Sequence, residues 1–102
     1  MMCINPKVYI SGKITGCEDT AQEVFSKYEN ILKEKGYAPL NPYKVVCSGM
    51  PDTLEHREYM HVAFALLDLA DYIFMIPGWE TSCGASQEYG YAKAKGITEL
   101  KL

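Results

Sequence analysis

A run of five consecutive apolar residues constrains the fold of this chain more than any other segment. Residues 72–76 read Tyr-Ile-Phe-Met-Ile, and Pro77 and Gly78 follow them and end any regular element. A strand that is apolar at consecutive positions must be covered on both of its faces, as in a parallel sheet between two layers of helices. The run therefore predicts a central strand of an α/β fold.

Extended and helical patterns alternate along the chain. Strands are predicted at residues 7–11, 37–41, 72–76 and 97–102. Helices are predicted at residues 20–35, 52–69 and 85–95. Because parallel strands need crossover connections, this order predicts a Rossmann-like, three-layer sandwich with a short, mostly parallel sheet of four to five strands.

The helix boundaries come from capping signals. Thr20 with Glu23, and Asp52 with Glu55, have the spacing of capping boxes, which places a helix start at each pair. Gly36 follows a lysine-containing last turn and is expected in the left-handed conformation that ends a helix. Between Thr20 and Gly36, apolar residues recur at helical spacing, so one face of this helix is expected to be buried.

Composition narrows the classes of function. A chain of 102 residues has the size of one domain, so we expect a single domain over residues 1–102. Ten basic against 13 acidic side chains give a net charge of −3, which argues against duplex nucleic acid as a partner. The longest apolar stretch, residues 62–70, contains Asp68 and is too short to span a membrane.

The cysteines are not spaced as metal ligands. Cys3, Cys17, Cys47 and Cys83 form no Cys-x-x-Cys pair and have no nearby histidine. We therefore expect no zinc site, and reduced thiols in a cytoplasmic protein. Because the chain is small and has eight tyrosines, we also expect a homodimer or a higher homo-oligomer that covers its remaining apolar surface.

The loops after the strands are the places where a ligand is expected. In an open parallel sheet, ligands bind beyond the carboxyl ends of the strands. Gly12-Lys13 does not fit a P-loop, because Lys7 stands where the first glycine is needed, and the turn from Gly12 to Gly16 does not fit Gly-x-Gly-x-x-Gly. This turn either binds an anion through its backbone N–H groups and Lys13, or is a tight turn with a solvated lysine.

The segment that follows residue 81 holds the candidate catalytic residue. Residues 82–92 read Ser-Cys-Gly-Ala-Ser-Gln-Glu-Tyr-Gly-Tyr-Ala and place Glu88 about one turn inside a helix. The partial positive charge at a helix start favours an ionised carboxylate, which can attack a sugar carbon. Gly84 would let a ligand approach closely. The alternative is a surface glutamate that only stabilises its helix.

Three motifs together resemble those of the nucleoside 2-deoxyribosyltransferase superfamily, which includes deoxynucleoside 5′-monophosphate N-glycosidases. They are Val-Tyr-Ile-Ser-Gly at residues 8–12 with Gly16, Ala-Asp-Tyr-Ile-Phe-Met-Ile at residues 70–76, and Gly-Ala-Ser-Gln-Glu-Tyr-Gly-Tyr-Ala at residues 84–92. The resemblance is greatest to a short bacterial and phage branch that shares Asn-Pro at residues 41–42 and Pro-Gly-Trp-Glu at residues 77–80. It implies a Rossmann-like sheet with a base and a sugar bound over the strand ends.

The resemblance implies a role for each matching residue. Glu88 matches the glutamate that attacks the anomeric carbon, and Tyr9 matches the tyrosine beside the sugar and the nucleophile. Ser82 and the turn from Gly12 to Gly16 match loops that hold a 5′-phosphate. Two alternatives stay open: Tyr9 can be a core tyrosine, and Trp79 either stacks on the base or covers the sheet end or an oligomer interface.

One position departs from the superfamily. Its enzymes carry an aspartate on the second helix that helps to protonate the leaving base, a contribution typically worth ~10²–10⁴ in rate. Counting back about eight residues from Asp71 leads to Ala63, which we expect on the helix edge that faces the pocket. Neither His61 nor Asp68 is expected to replace the missing acid.

Three hypotheses for function follow. The first is an N-glycosidase or deoxyribosyltransferase-like enzyme that acts on a small-molecule nucleoside or nucleotide through Glu88. This hypothesis implies no metal and no organic cofactor. The second is a binding module of the same fold that has lost the chemistry, which the missing acid at Ala63 favours. The third is a structural subunit whose own side chains fill the crevice.

Overall fold

The computed structural model of the chain describes residues 5–13, 18–42 and 56–102. It contains four strands, β1 (Lys7–Ser11), β2 (Ala38–Leu40), β3 (Tyr72–Met75) and β4 (Thr98–Leu100). It also contains three helices, α1 (Glu18–Glu34), α2 (His56–Asp68) and α3 (Cys83–Ala94), and a 3₁₀ turn at Trp79–Thr81. None of these described helices is long and apolar enough to cross a membrane.

Several predicted features lie outside the described residues. They are Gly16, the capping pair of Asp52 and Glu55, and three of the cysteines, Cys3, Cys17 and Cys47. The fourth cysteine, Cys83, is exposed and is not part of a disulfide.

The sheet has the strand order β2-β1-β3-β4, and every neighbouring pair is parallel. In the central pair, Ser11 of β1 lies opposite Met75 of β3. The chain leaves β1 toward one side of the sheet to form β2 and returns to the other side to form β3. The point where the strand order reverses therefore lies between the carboxyl ends of β1 and β3, where open α/β sheets bind ligands. The predicted α/β class and its short parallel sheet are confirmed.

Helices cover both faces of the sheet. On one face, α1 buries an apolar cluster made of Val8, Ile10, Ala21, Phe25, Leu32, Phe74 and Ile76. On the other face, α2 and α3 enclose a second cluster made of Tyr9, Met60, Ala63, Leu67, Ile73, Met75, Ala85 and Ala92. The three layers confirm the predicted sandwich.

The run at residues 72–76 occupies the position that its composition predicts. Ile73 and Met75 pack toward α2 and α3, whereas Phe74 and Ile76 pack toward α1. All four side chains are buried because successive strand residues point to opposite covered faces.

The element boundaries differ from the predicted ones by a few residues. α1 begins at Glu18, so Thr20 lies inside its first turn rather than at its cap. α3 begins at Cys83, earlier than predicted, because the Ser82 side chain caps it and accepts a hydrogen bond from the N–H of Ala85 at 3.1 Å. Gly36 has the expected left-handed conformation after α1, with φ of 92°.

Candidate active site

A carboxyl group lies at the point where the strand order reverses. Glu88 projects from the second turn of α3 toward the end of β1. Tyr9 and Ser11 are two residues apart on β1, so their side chains share the face that looks toward α3. The Tyr9 hydroxyl donates a hydrogen bond to Glu88 Oε2, and Ser11 Oγ donates to Glu88 Oε1 at 2.5 Å. One strand thus holds both oxygens of the carboxyl.

These three side chains are almost completely removed from solvent. Tyr9 and Ser11 are 0% exposed and Glu88 is 4% exposed. Burial raises the pKa of the Glu88 carboxyl to about 7, while the hydrogen bonds from Ser11 and Tyr9 act in the opposite direction. Burial also raises the pKa of Tyr9 well above its usual value, so its hydroxyl keeps its proton and stays a donor.

The expectation that the start of α3 favours the ionised form of Glu88 is wrong in its net effect. Glu88 is the sixth residue of the helix, and the influence of a helix terminus falls off within the first turn. Desolvation is the larger influence, so the carboxyl exists in both protonation states near neutral pH. A group of this kind is suited either to proton transfer or to nucleophilic attack.

Gly12 has a packing role in the structure. A Cβ atom at this position would lie 2.9 Å from Ile76 Cδ1 and 3.0 Å from Ile76 Cβ. Only glycine therefore lets the end of β1 pass so close to the chain that follows β3. Lys13 is exposed at the same end of the sheet. The proposed anion-binding turn includes Gly16, which lies outside the described residues, so the phosphate role of the turn stays a prediction.

The other predicted contact residues surround the start of α3. Ser82 is the N-cap, and Gly84 is the second residue of the helix. The Trp79 ring packs on Tyr89, with ring centroids 4.9 Å apart, and the Tyr89 hydroxyl lies 3.5 Å from Glu99 Oε1 of β4. Trp79 thus lies on the β4 side of α3, whereas Glu88 faces β1. This placement resembles the cover for the sheet end that the sequence left as an alternative.

The prediction that Ala63 faces the pocket is wrong. Ala63 is 0% exposed and lies in the same apolar cluster as Met60 and Leu67, which share its side of α2. The spacing of these residues places Ala63 on the buried stripe of the helix. Of the two side chains considered as replacements for the missing acid, His61 is exposed on α2. Asp68 is exposed and accepts a hydrogen bond from the Tyr91 hydroxyl at 2.6 Å.

Sequence reasoning missed Ser11 as a site residue. The resemblance pointed to Tyr9 and Glu88, and the structure brings these two side chains together. The signal for Ser11 was nevertheless present, because a residue two positions after Tyr9 on a strand must share its face. Within the described part of the chain, no group of three or more His, Cys, Asp and Glu side chains could hold a metal ion.

The sequence model of one protein family matches nearly the whole chain. The family is described as "Domain of unknown function (DUF4406)", and the match covers residues 6–100. The chain belongs to the DUF4406 family. No curated protein matches it.

A solved structure shares the fold of this DUF4406 chain. It is described as "2-desoxiribosyltransferase from Leishmania mexicana" and is 22% identical, with a TM-score of 0.68. The similarity covers 93% of this chain but 62% of that protein, so this chain spans less than two thirds of the other's length. At this identity the similarity establishes the fold, which agrees with the fold that the motif resemblance implied.

Proposed function

We propose that the protein is a nucleoside or nucleotide N-glycosidase or deoxyribosyltransferase-like enzyme in which Glu88 attacks C1′ of the sugar. The observation that carries the proposal is the buried Glu88 carboxyl, held by Tyr9 and Ser11 beside the carboxyl end of β1. A buried carboxyl is costly to keep, and one with a strongly shifted pKa is a candidate functional group. The fold similarity to a 2-desoxiribosyltransferase supports the same proposal.

The proposed reaction has two displacement steps. Ionised Glu88 forms a bond to C1′ while the C1′–N bond breaks, and the electron pair leaves with the base, which takes a proton from water. Water or a second base then attacks C1′, the bond between C1′ and the Glu88 oxygen breaks, and the carboxylate is restored. The acceptor, whether water or the second base, gives up one proton, which neutralises the hydroxide left when the first base took its proton from water. Tyr9 donates to the carboxylate and orients it.

The substrate contacts are proposed from the motif resemblance. Gly12, Lys13 and Gly16 would hold the sugar or a 5′-phosphate, and the exposed Lys13 supplies a positive charge for it. Ser82 Oγ accepts from the N–H of Ala85, which leaves the proton of its own hydroxyl available to a ligand. Gly84 gives room beside it. Trp79 packs on Tyr89 on the β4 side of α3, so it would form a wall of the pocket on that side only.

Product analysis tests the proposal directly. The protein is incubated with nucleosides and nucleoside 5′-monophosphates in their ribo and 2′-deoxy forms, and released bases are separated by chromatography. We expect base release by the wild type and a loss of at least ~10³-fold in Glu88→Gln, since removing a nucleophile has effects of this size or larger. Intact mass measurement after rapid quenching should detect one pentosyl group on the wild type.

Glu34→Gln is the matched control for this experiment. Glu34 is exposed at the end of α1, on the opposite side of the sheet, and its replacement removes the same charge. Turnover should be unchanged in Glu34→Gln. Equal turnover in Glu88→Gln and the wild type would end the glycosidase proposal.

A second candidate function is a nucleotide-binding module without catalysis. The missing acid favours it, because the count back from Asp71 to the acid of the resembling enzymes leads to Ala63, which has no carboxyl group. In this case a nucleotide would raise the melting temperature while no base is released. If neither a product nor a shift in melting temperature is found, the structural hypothesis is the better one.

We further propose that this single domain assembles into a homodimer or a higher homo-oligomer. The exposed leucines Leu69 and Leu102 add to the apolar surface that such an assembly would cover. Sedimentation at micromolar concentration tests it, and a clean monomer of 11.5 kDa would contradict it.

A further inference from the structure

We infer that Ser11 is a positioning residue for Glu88, and that its hydroxyl fixes the carboxyl in the single orientation from which it attacks C1′. The inference rests on the proposed function, in which Glu88 is the nucleophile. It adds a residue that the motif resemblance does not assign. Its basis is the pair of hydrogen bonds that join β1 to the two oxygens of one carboxyl group.

Two donors control the carboxyl more completely than one. The last torsion angle of a glutamate side chain is broad, so a carboxyl held at a single oxygen can still swing the other oxygen. Tyr9 holds Oε2 and Ser11 holds Oε1, which fixes the plane of the group. A distance of 2.5 Å from Ser11 Oγ to Oε1 lies in the range of charge-assisted O–H···O⁻ bonds.

Ser11 is itself held in place. It lies at the end of the strand that has neighbours on both sides, and its carbonyl accepts a hydrogen bond from the N–H of Ile76 at 2.8 Å. A donor on a paired strand is more precise than a donor on a loop. The pairing of β1 with β3 fixes the backbone of Ser11, and the Ser11 hydroxyl in turn fixes the orientation of Glu88.

The Ser11 hydroxyl is buried and has the Glu88 carboxyl as its hydrogen-bond partner. Ser11 is 0% exposed, and a buried hydroxyl is unfavourable unless it is hydrogen-bonded. Within residues 5–13, 18–42 and 56–102, no buried side-chain nitrogen or oxygen lacks a partner. Removing the hydroxyl would leave Oε1 of a 4% exposed carboxyl without this donor.

The chemistry of a hydroxyl suits a carboxyl that changes its charge. A serine hydroxyl donates to the carboxylate and can accept from the carboxylic acid, so it serves both protonation states. Its hydrogen bond lowers the pKa of Glu88 against the effect of burial. Ser11 therefore also keeps more of Glu88 in the attacking form.

Three variants test the inference in the full chain. Ser11→Ala removes the hydroxyl, Ser11→Thr keeps it, and Ser86→Ala makes the same change at an exposed serine of α3. Turnover is followed against pH with the nucleoside or nucleotide that the wild type cleaves fastest. Separately, the Glu88 carboxyl is titrated by ¹³C NMR, and its signal is assigned by its absence in Glu88→Gln.

We expect Ser11→Ala to lower kcat about 10–100-fold near neutral pH, since a hydrogen bond to a charged group has this effect on equilibria. The acid limb of the pH profile and the NMR midpoint should both move to higher pH, and KM should stay close to that of the wild type. Ser11→Thr should restore most of kcat. Ser86→Ala should match the wild type in every measurement.

Failure of the inference differs from failure of the proposed function. An unmoved NMR midpoint in Ser11→Ala overturns the inference whatever the activity, and leaves Glu88 as the proposed nucleophile. A moved midpoint with unchanged kcat overturns it as well, because the contact would then be structural. If the wild type cleaves no substrate although the midpoint moves, the proposed function fails and the positioning role fails with it.

Discussion

The two faces of β1 are equally buried and chemically opposite. Val8 and Ile10 point toward α1 and pack among apolar side chains, whereas Tyr9 and Ser11 point toward α3 and hydrogen-bond to Glu88. All four strand residues are 0% exposed. The difference teaches that burial alone does not distinguish a packing face from a functional one. What distinguishes the second face is a set of polar groups that are satisfied only together.

The comparison is tested most strongly by adding a second buried carboxyl group on the side of the sheet that α2 and α3 cover. Unlike Glu88, this group would have no hydroxyl groups of the described residues placed to donate hydrogen bonds to it. Ala63→Asp places a carboxyl group in the buried cluster that contains Met60 and Leu67. We expect it to lower the free energy of unfolding by about 3–5 kcal/mol at about pH 8, as an uncompensated buried charge does. Urea denaturation measures this effect.

Ala65→Asp is the control for this prediction, since Ala65 is exposed on the same helix. We expect it to change the free energy of unfolding by less than about 1 kcal/mol, in line with helix propensity. Wild-type stability in Ala63→Asp, together with faster base release, would contradict the buried position of Ala63.

The polar face should make stability depend on pH, with a sign set by the raised pKa of Glu88. Between its ordinary pKa of 4.5 and its folded-state pKa of about 7, the native chain keeps a proton that the unfolded chain has lost. This contribution is therefore fully present below pH 4.5 and is lost as the pH rises toward 7. We expect Glu88→Gln to exceed the wild type in free energy of unfolding by about 3 kcal/mol at about pH 8.

Denaturation at a series of pH values separates this pH-dependent difference in stability from a gain in stability that is the same at every pH. The advantage of Glu88→Gln should disappear near pH 4.5, where Glu88 is neutral in the folded chain. The amide oxygen and nitrogen of glutamine can still hydrogen-bond to the two hydroxyls, so packing is retained. An advantage that is constant with pH would mean that burial does not raise the pKa of Glu88.

A third prediction asks whether the end of β1 is limited by packing. Gly12→Ala should lower the free energy of unfolding by about 1–3 kcal/mol, the usual effect of overpacking, because its Cβ would press on Ile76. Gly90→Ala is the same substitution in the exposed part of α3, where an added Cβ would have no atom outside the helix backbone within 4 Å. It should raise stability by about 0.5–1 kcal/mol, since alanine favours a helix over glycine. A harmless Gly12→Ala would favour a purely ligand-binding role for this glycine.

The smallest expected effect belongs to the apolar face. Ile10→Val removes one buried methylene group and should lower the free energy of unfolding by about 1 kcal/mol. The loss should be the same at every pH, because no titratable group has to change with it. A pH-dependent loss would show that the two faces of β1 are coupled.

The fold could be predicted because its signals are local and periodic. The apolar run at residues 72–76 required cover on both faces, and capping and glycine signals placed both ends of α1 and the end of α3 within a few residues of those observed. The pairing of Tyr9 with Glu88 followed from the motif resemblance, since the periodicity of the chain does not relate residues so far apart.

Two predictions were wrong, the position of Ala63 and the direction of the pKa shift of Glu88. Counting back from Asp71 assigned Ala63 to the pocket, although its spacing from Met60 and Leu67 already placed it on the buried stripe. For Glu88, the helix start was visible in the sequence, but the depth of burial depends on how three layers pack. That depth decides the pKa, so sequence alone gave the wrong direction.

The strand that holds Glu88 is synthesised well before Glu88 itself. Tyr9 and Glu88 are 79 positions apart, so their contact closes a loop that contains α1, β2, α2 and β3. During synthesis, β1 emerges long before β3 and α3 and has to wait for both. The hydrogen bonds to the Glu88 carboxyl therefore form only when β1, β3 and α3 have all folded together. A partly folded chain does not contain the assembled site.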